Sequence, residues 1–179
     1  MCTHPACHSR RRFLIGAAAA GLLAACGSGS EGGATLVPLE IDRSTSCALD
    51  GMILADYPGP KVQMHYAGRA EPDWFCDTIE MFSLYLNPEQ ARVIRAIYVQ
   101  DMGKADWDNP QGHWIDARTA VYVFGSSRLG GMGPTAASFA SEADARAFAE
   151  QYGGRVLRFD EVTADMVVLD GGALHDQRM

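Results

Sequence analysis

The sequence predicts an α+β fold made of two small, related ββαβ-type lobes. Strand, helix and strand signals follow one another twice, with helical stretches of similar length. Each helical stretch carries the 3.6-residue apolar period of a half-buried helix, and the flanking runs are short and rich in Val, Ile, Tyr and Phe. Glycine and proline clusters punctuate the succession where the chain must turn.

The globular part begins near Leu36-Val37-Pro38-Leu39. Asp56-Tyr57-Pro58-Gly59-Pro60 reads as a rigid turn, because proline presets φ and glycine permits a tight bend. Val62-Gln63-Met64-His65-Tyr66 alternates as a half-buried strand does. Pro72-Asp73 is expected to open a helix whose apolar face is Phe75, Ile79, Phe82 and Leu86, stopped by Asn87-Pro88. A strand is expected over residues 93–99. In the second half, Trp114-Ile115 and 120–124 read as strands, and Gly130-Gly131-Met132-Gly133-Pro134 as a loop. Ser141 is placed to cap a helix with Ala145, Phe148, Ala149 and Tyr152 as its buried stripe and Gly153-Gly154 as its end. A last strand is expected over 156–162. The lobes are thus expected at about 36–110 and 111–170, with a loose tail over 171–179.

Ahead of this lies a segment of another kind. Ser9-Arg10-Arg11-Arg12-Phe13-Leu14 fits the twin-arginine export pattern, and the apolar run behind it is too short for a permanent membrane span. The run ends in Leu23-Ala24-Ala25-Cys26, which resembles a lipobox, so residues 1–25 are expected to be removed and Cys26 to carry lipid. Residues 26–35 include Gly27-Ser28-Gly29-Ser30-Glu31-Gly32-Gly33 and read as a flexible tether. The protein is therefore expected as a periplasm-facing membrane lipoprotein of a bacterial envelope.

Cleavage would remove three arginines and no acidic residue, taking the formal charge from −7 to −10. Such an acidic chain is a poor partner for nucleic acid or anionic lipid, leaving attachment to the acyl chains. Cys2, His4, Cys7 and His8 would leave with the leader and drop out of any metal site.

What remains is rich in thioether: Met52, Met64, Met81, Met102, Met132, Met166 and Met179 accompany Cys47 and Cys76. Cys47-Ala48-Leu49-Asp50-Gly51-Met52 places a thiol and a thioether in one turn-forming segment. Met132 sits among glycines, where no helix or strand accounts for a large apolar side chain. Thiolate and thioether are soft donors, and Cu(I) is the soft cation they suit in a cell envelope. Met52 reads equally as ligand or core filler. His65 reads as a surface side chain, with completion of a copper shell as the alternative. Cys76 reads as a small buried hydrophobe on a helix, or as the partner of Cys47 in a structural disulfide. No phosphate loop, Gly-x-Ser-x-Gly elbow, His-Glu-x-x-His or zinc-type cysteine pair occurs.

Cys47-Ala-Leu-Asp-Gly-Met52, Asp56-Tyr-Pro-Gly-Pro-Lys61 with Gln63, Tyr98-Val99-x-Asp101-Met102-Gly103, Trp114-Ile115-x-Ala117 and Gly130-Gly131-Met132-Gly133 together resemble the NosL family. These are lipid-anchored accessory proteins of nitrous oxide reductase, an enzyme of denitrification. The resemblance spans about residues 47–162. It implies a two-lobed α+β fold and a copper chaperone that delivers Cu(I) to the reductase and its assembly machinery, with Cys47 and Met132 as ligands. Many relatives have a second cysteine in a Cys-x-x-Cys-Gly-Met arrangement, where this chain has Asp50. The competing readings are a thiol-dependent enzyme of soft-metal or organometal chemistry and a metal-free assembly lipoprotein.

Overall fold

The computed structural model describes residues 36–87, 89–167 and 169. The leader, Cys26, the tether, Pro88 and the tail, on which several expectations fall, lie outside these residues.

The first sheet is formed by β1 (Val62–Tyr66), β2 (Asp73–Phe75), β3 (Ile94–Gln100) and β4 (Trp114–Asp116), in the order β2-β1-β3-β4. Helix α1 (Thr78–Tyr85) joins β2 to β3. The second sheet is β8-β5-β9, built from β5 (Val121–Phe124), β8 (Ala137–Phe139) and β9 (Arg155–Arg158), with α2 (Glu142–Tyr152) between β8 and β9. A small hairpin, β6 (Leu129–Gly130) and β7 (Gly133–Pro134), interrupts the path from β5 to β8. The two lobes therefore share one plan. The first strand lies in the middle, antiparallel to both neighbours, and the helix links the second strand to the third.

Three element expectations need correction. The helix of the first lobe starts at Thr78 and not near Pro72, because Asp73, Trp74 and Phe75 pair with Met64, Gln63 and Val62 as a strand. Phe75 is thus a buried strand residue, and Asp77 is the cap, its Oδ1 accepting from Ile79 N–H at 2.8 Å. Trp114–Asp116, expected with the second lobe, extends the first sheet by pairing with β3. The last strand ends at Arg158, and Phe159–Glu161 tightens into a 3-10 turn. Helix α2 follows its sequence signals: Ser141 Oγ accepts from Ala143 N–H at 3.1 Å, and Gly153 ends the helix at φ 76°.

Strand β5 explains how the lobes share a core. Val121 and Val123 pack with Ala137, Phe139 and Ala145 beneath α2. Tyr122 and Phe124 point the other way into the main core, where Phe82 of α1 meets their rings at 4.9 and 5.8 Å. A strand buried on both faces needs an unbroken apolar run, which 120–124 supplies. Strand β1 is also buried throughout. Val62, Met64 and Tyr66 face the main core, while Leu39 meets the intervening Gln63. There the Gln63 side-chain amide donates to Leu39 C=O at 2.9 Å, and its Oε1 accepts from Leu39 N–H at 2.8 Å.

Candidate metal centre

Cys47 lies in a loop closed at its base by the Ser46–Ile53 bridge. Cys47 N–H donates to Met52 C=O at 2.8 Å, Gly51 N–H to Cys47 C=O at 2.9 Å, and Met52 N–H to Asp50 Oδ1 at 2.9 Å. Gly51 takes φ 79°, a conformation in which a side chain would be strained. Ala48 N–H donates to Trp74 C=O at 2.7 Å and ties this loop to β2. Cys76 follows β2 directly, one residue before the cap of α1.

The loop and the helix start meet at a buried group of acidic side chains. One ligating atom from each of Cys47, Asp50, Cys76 and Glu80 lies within 4.8 Å of every other. Cys47, Cys76 and Glu80 are buried, and Asp50 is exposed at the edge. Cys47 Sγ and Cys76 Sγ each stand 3.4 Å from Glu80 Oε2, which also accepts from Cys76 N–H at 3.0 Å. Leu49 N–H points at Cys47 Sγ from 3.4 Å. Both thiols are free, so the disulfide reading of Cys47 and Cys76 fails.

These groups titrate together, and their environments pull them apart. The Cys76 thiol beside Cys47, helped by backbone N–H groups, pulls Cys47 down to about 6 against the opposing effect of burial. Cys76 is held well above an ordinary thiol by the same partner, by burial and by Glu80. Burial, then the Cys47 charge, pushes Glu80 up to about 8. The pocket thus favours one thiolate, Cys47, flanked by a thiol and a neutral carboxylic acid.

Behind this group, the Lys61 ammonium is buried and donates to the carbonyls of Pro58, Gly59 and Cys76 at 2.8, 3.0 and 3.3 Å. Burial lowers it to about 8, while Asp77, Cys76 and Glu80 favour its charge. It pins the Pro58-Gly59 turn to the strand end that carries Cys76.

Met132 occupies the two-residue tip of the β6–β7 hairpin, half-buried against the core that contains Cys47 and Cys76. Its glycines serve close approach. A Cβ on Gly131 would lie 3.0 Å from Tyr57 Cβ and 3.7 Å from Cys76 O, and one on Gly130 only 2.4 Å from Asp77 Oδ2. The hairpin backbone is seated on residues 76–77. Met52 is half-buried and packs on the same core. His65 departs from expectation: it is 4% exposed in β1, so the surface reading fails. It stands outside the thiol–carboxylate group, with Nε2 3.0 Å from Gln63 Oε1 and its ring edge-on to Tyr98.

Sequence reasoning missed Cys76 and Glu80 as members of this group. A signal was present, since Asp77-Thr78-Ile79-Glu80 has capping-box spacing. A glutamate at the third helical position folds its carboxylate back over the helix start, and here it reaches the N–H of Cys76.

Two buried thiols and two carboxyl groups thus meet within 4.8 Å on a two-lobed α+β scaffold, with half-buried Met52 and Met132 packed on the same core, a donor set whose sulfurs suit a soft metal ion. The chain belongs to the NosL family, whose model matches residues 38–167. It is 41% identical over 159 residues to the copper-binding lipoprotein NosL of Stutzerimonas stutzeri, covering 86% of this chain and 83% of that one. To the copper-binding lipoprotein NosL of Achromobacter cycloclastes it is 40% identical over 164 residues, covering 89% and 84%. The crystal structure of the copper chaperone NosL from Shewanella denitrificans superposes with a TM-score of 0.69 at 40% identity, over 73% of this chain and 97% of that one. Among the described residues, no helix is long and apolar enough to cross a membrane.

Proposed function

We propose that this protein is a lipid-anchored, periplasm-facing copper chaperone that holds Cu(I) and passes it on for assembly of the copper centres of nitrous oxide reductase. Copper is cargo here, and the protein's task is capture and release.

The observation that carries this reading is the grouping of Cys47, Cys76, Glu80 and Asp50, whose ligating atoms lie within 4.8 Å of one another, with the Cys47 thiol pulled down by its neighbours to about 6. A thiol left near its ordinary value would have to shed a proton before binding metal at neutral pH. The lowering of the Cys47 thiol eases that loss, and soft sulfur selects Cu(I) over harder ions. Met132 is the second donor, and Met52 serves as a third from within the Cys47 loop. His65, buried on β1 against Gln63, has a weaker claim. Few donors and one formal thiolate charge make a site that an incoming ligand can displace, as delivery requires. Lipid on Cys26 confines the protein to the membrane surface, and its acidic surface suits a basic patch on the reductase or its assembly machinery.

The test is an anaerobic Cu(I) titration against a chromophoric chelator. Cys47→Ser is expected to abolish most of the affinity, and Met132→Ile to weaken it without unfolding the protein. In cells, Cys47→Ser expressed at normal level should yield an exported reductase short of copper. Unchanged Cu(I) affinity in Cys47→Ser, or a fully loaded reductase, would refute the delivery role.

A further inference from the structure

The hairpin that carries Met132 has only two paired positions per strand, Leu129↔Pro134 and Gly130↔Gly133. A ribbon that short has little stability of its own, and its glycines widen the range of backbone shapes it can take. Methionine adds three rotatable bonds. Something outside the hairpin must decide where the thioether sits.

Trp107 Nε1–H donates to Leu129 C=O at 3.1 Å on the exposed side of the hairpin, and a buried tie on its other strand leads back to the thiol site. Asp77 Oδ1, which caps α1 by accepting from Ile79 N–H, also accepts the Thr135 hydroxyl at 2.7 Å. One residue on, the Thr78 hydroxyl donates to Ala136 C=O at 2.6 Å. Asp77, Thr78 and Thr135 are all buried, so water does not compete for these bonds. Residues 77–78 follow Cys76, and residues 135–136 follow β7. The same Asp77 carboxylate therefore starts the helix that brings Glu80 to the thiols and clamps the base of the hairpin. Gly130 lies directly on its other oxygen.

We propose that Asp77 and Thr135 are positioning residues that fix the Met132 thioether at the thiol site before copper arrives. The inference rests on Met132 being a copper donor. Its physical content is preorganisation: with the clamp in place, the hairpin is ordered by folding, and Cu(I) binding does not bear that entropic cost. Without it, only the fraction of molecules with the hairpin seated offers two sulfurs, and apparent affinity falls by that fraction.

The experiment uses the full mature protein in detergent, with Cu(I) alone as ligand, a chelator competition for affinity and X-ray absorption for the count of sulfur neighbours. Thr135→Val removes the hydroxyl at constant shape, and Thr135→Ser keeps it. Thr135→Val is expected to weaken Cu(I) binding about tenfold and to lose one sulfur neighbour, while Thr135→Ser retains both properties. In the Met132→Ile background, Thr135→Val should cause no further loss, a coupling that general destabilisation would not produce. If Met132→Ile weakens binding but Thr135→Val binds like the parent with its full sulfur count, the positioning role is overturned and the donor assignment stands. An additive loss in the double variant overturns it in the same way. If Met132→Ile itself binds like the parent, the donor assignment fails and takes the positioning role with it.

Discussion

Replacing Gly130 with alanine tests the seating of the hairpin with one methyl group. The added carbon would lie 2.4 Å from Asp77 Oδ2 and 3.0 and 3.1 Å from Thr135 Cβ and Cγ2. Non-bonded heavy atoms sit comfortably at roughly 3.5 Å, so the hairpin must retreat by about 1 Å. The Asp77 carboxylate cannot give way instead, because its other oxygen is held by Ile79 N–H and the Thr135 hydroxyl. Overpacking of this kind costs about 1–3 kcal/mol. A 1 Å retreat also stretches the 2.7 Å Thr135–Asp77 bond beyond hydrogen-bonding range, which removes about 1 kcal/mol more. The expected destabilisation is therefore about 2–4 kcal/mol. It is read from urea unfolding of the metal-free protein at fixed slope. Gly131→Ala, whose added carbon is no closer than 3.0 Å to any neighbouring atom, should cost less, about 1 kcal/mol. A Gly130→Ala loss under about 0.5 kcal/mol, the range of an open surface site, would refute the packing argument.

Cu(I) affinity should be nearly flat above about pH 7 and weaken about tenfold per unit once the pH falls through the lowered Cys47 value of about 6. Chelator competition at a series of pH values checks this, and affinity still climbing tenfold per unit from pH 7 to 9 would contradict it. Burial raises Asp77 from 3.8 to about 7, so its contribution to stability is full below the lower value and lost as pH rises through the upper one. Asp77→Asn keeps the acceptor and removes that titration. Its melting temperature should gain on the parent between about pH 4 and 7, and parallel profiles would count against a buried, neutral-leaning Asp77. Cys26→Ser should release the protein from the membrane fraction into the soluble periplasm, because the glycine-serine tether has no apolar surface to hold it. Recovery of that variant in the membrane pellet would contradict lipid anchoring.

Much of the architecture was legible because it depends on local periodicity. The Ser141 cap, the Ala145 to Tyr152 stripe and the Gly153 stop predicted α2 where it stands. The repeated strand–helix–strand succession predicted two related lobes, and the strand orders β2-β1-β3 and β8-β5-β9 share one plan. Where the reading failed, a partner distant in sequence decided the outcome. Phe75 fits a helical period with Ile79, Phe82 and Leu86, yet pairing with Val62 of β1 places it in a strand. Trp114 and Ile115 are a strand in either lobe, and only the free edge of β3 assigns them to the first. His65 is buried on the face of β1 that carries Gln63, where its ring meets Tyr98 of β3.

The candidate site divides along the same line. Cys47, Met52 and Met132 stand out from sequence alone as candidate donors, because sulfur chemistry and unusual glycine surroundings are visible residue by residue. The sequence motifs also pointed to the NosL family, whose model matches residues 38–167. Only the tertiary structure decided that Cys76 and Glu80 stand beside Cys47, 29 and 33 positions away by their numbers. It also brought the two thiols and Glu80 close enough to shift one another's ionisation. Ionisation depends on burial and on neighbours a few ångströms away, and the chain sets both only when the Cys47 loop closes over the start of α1.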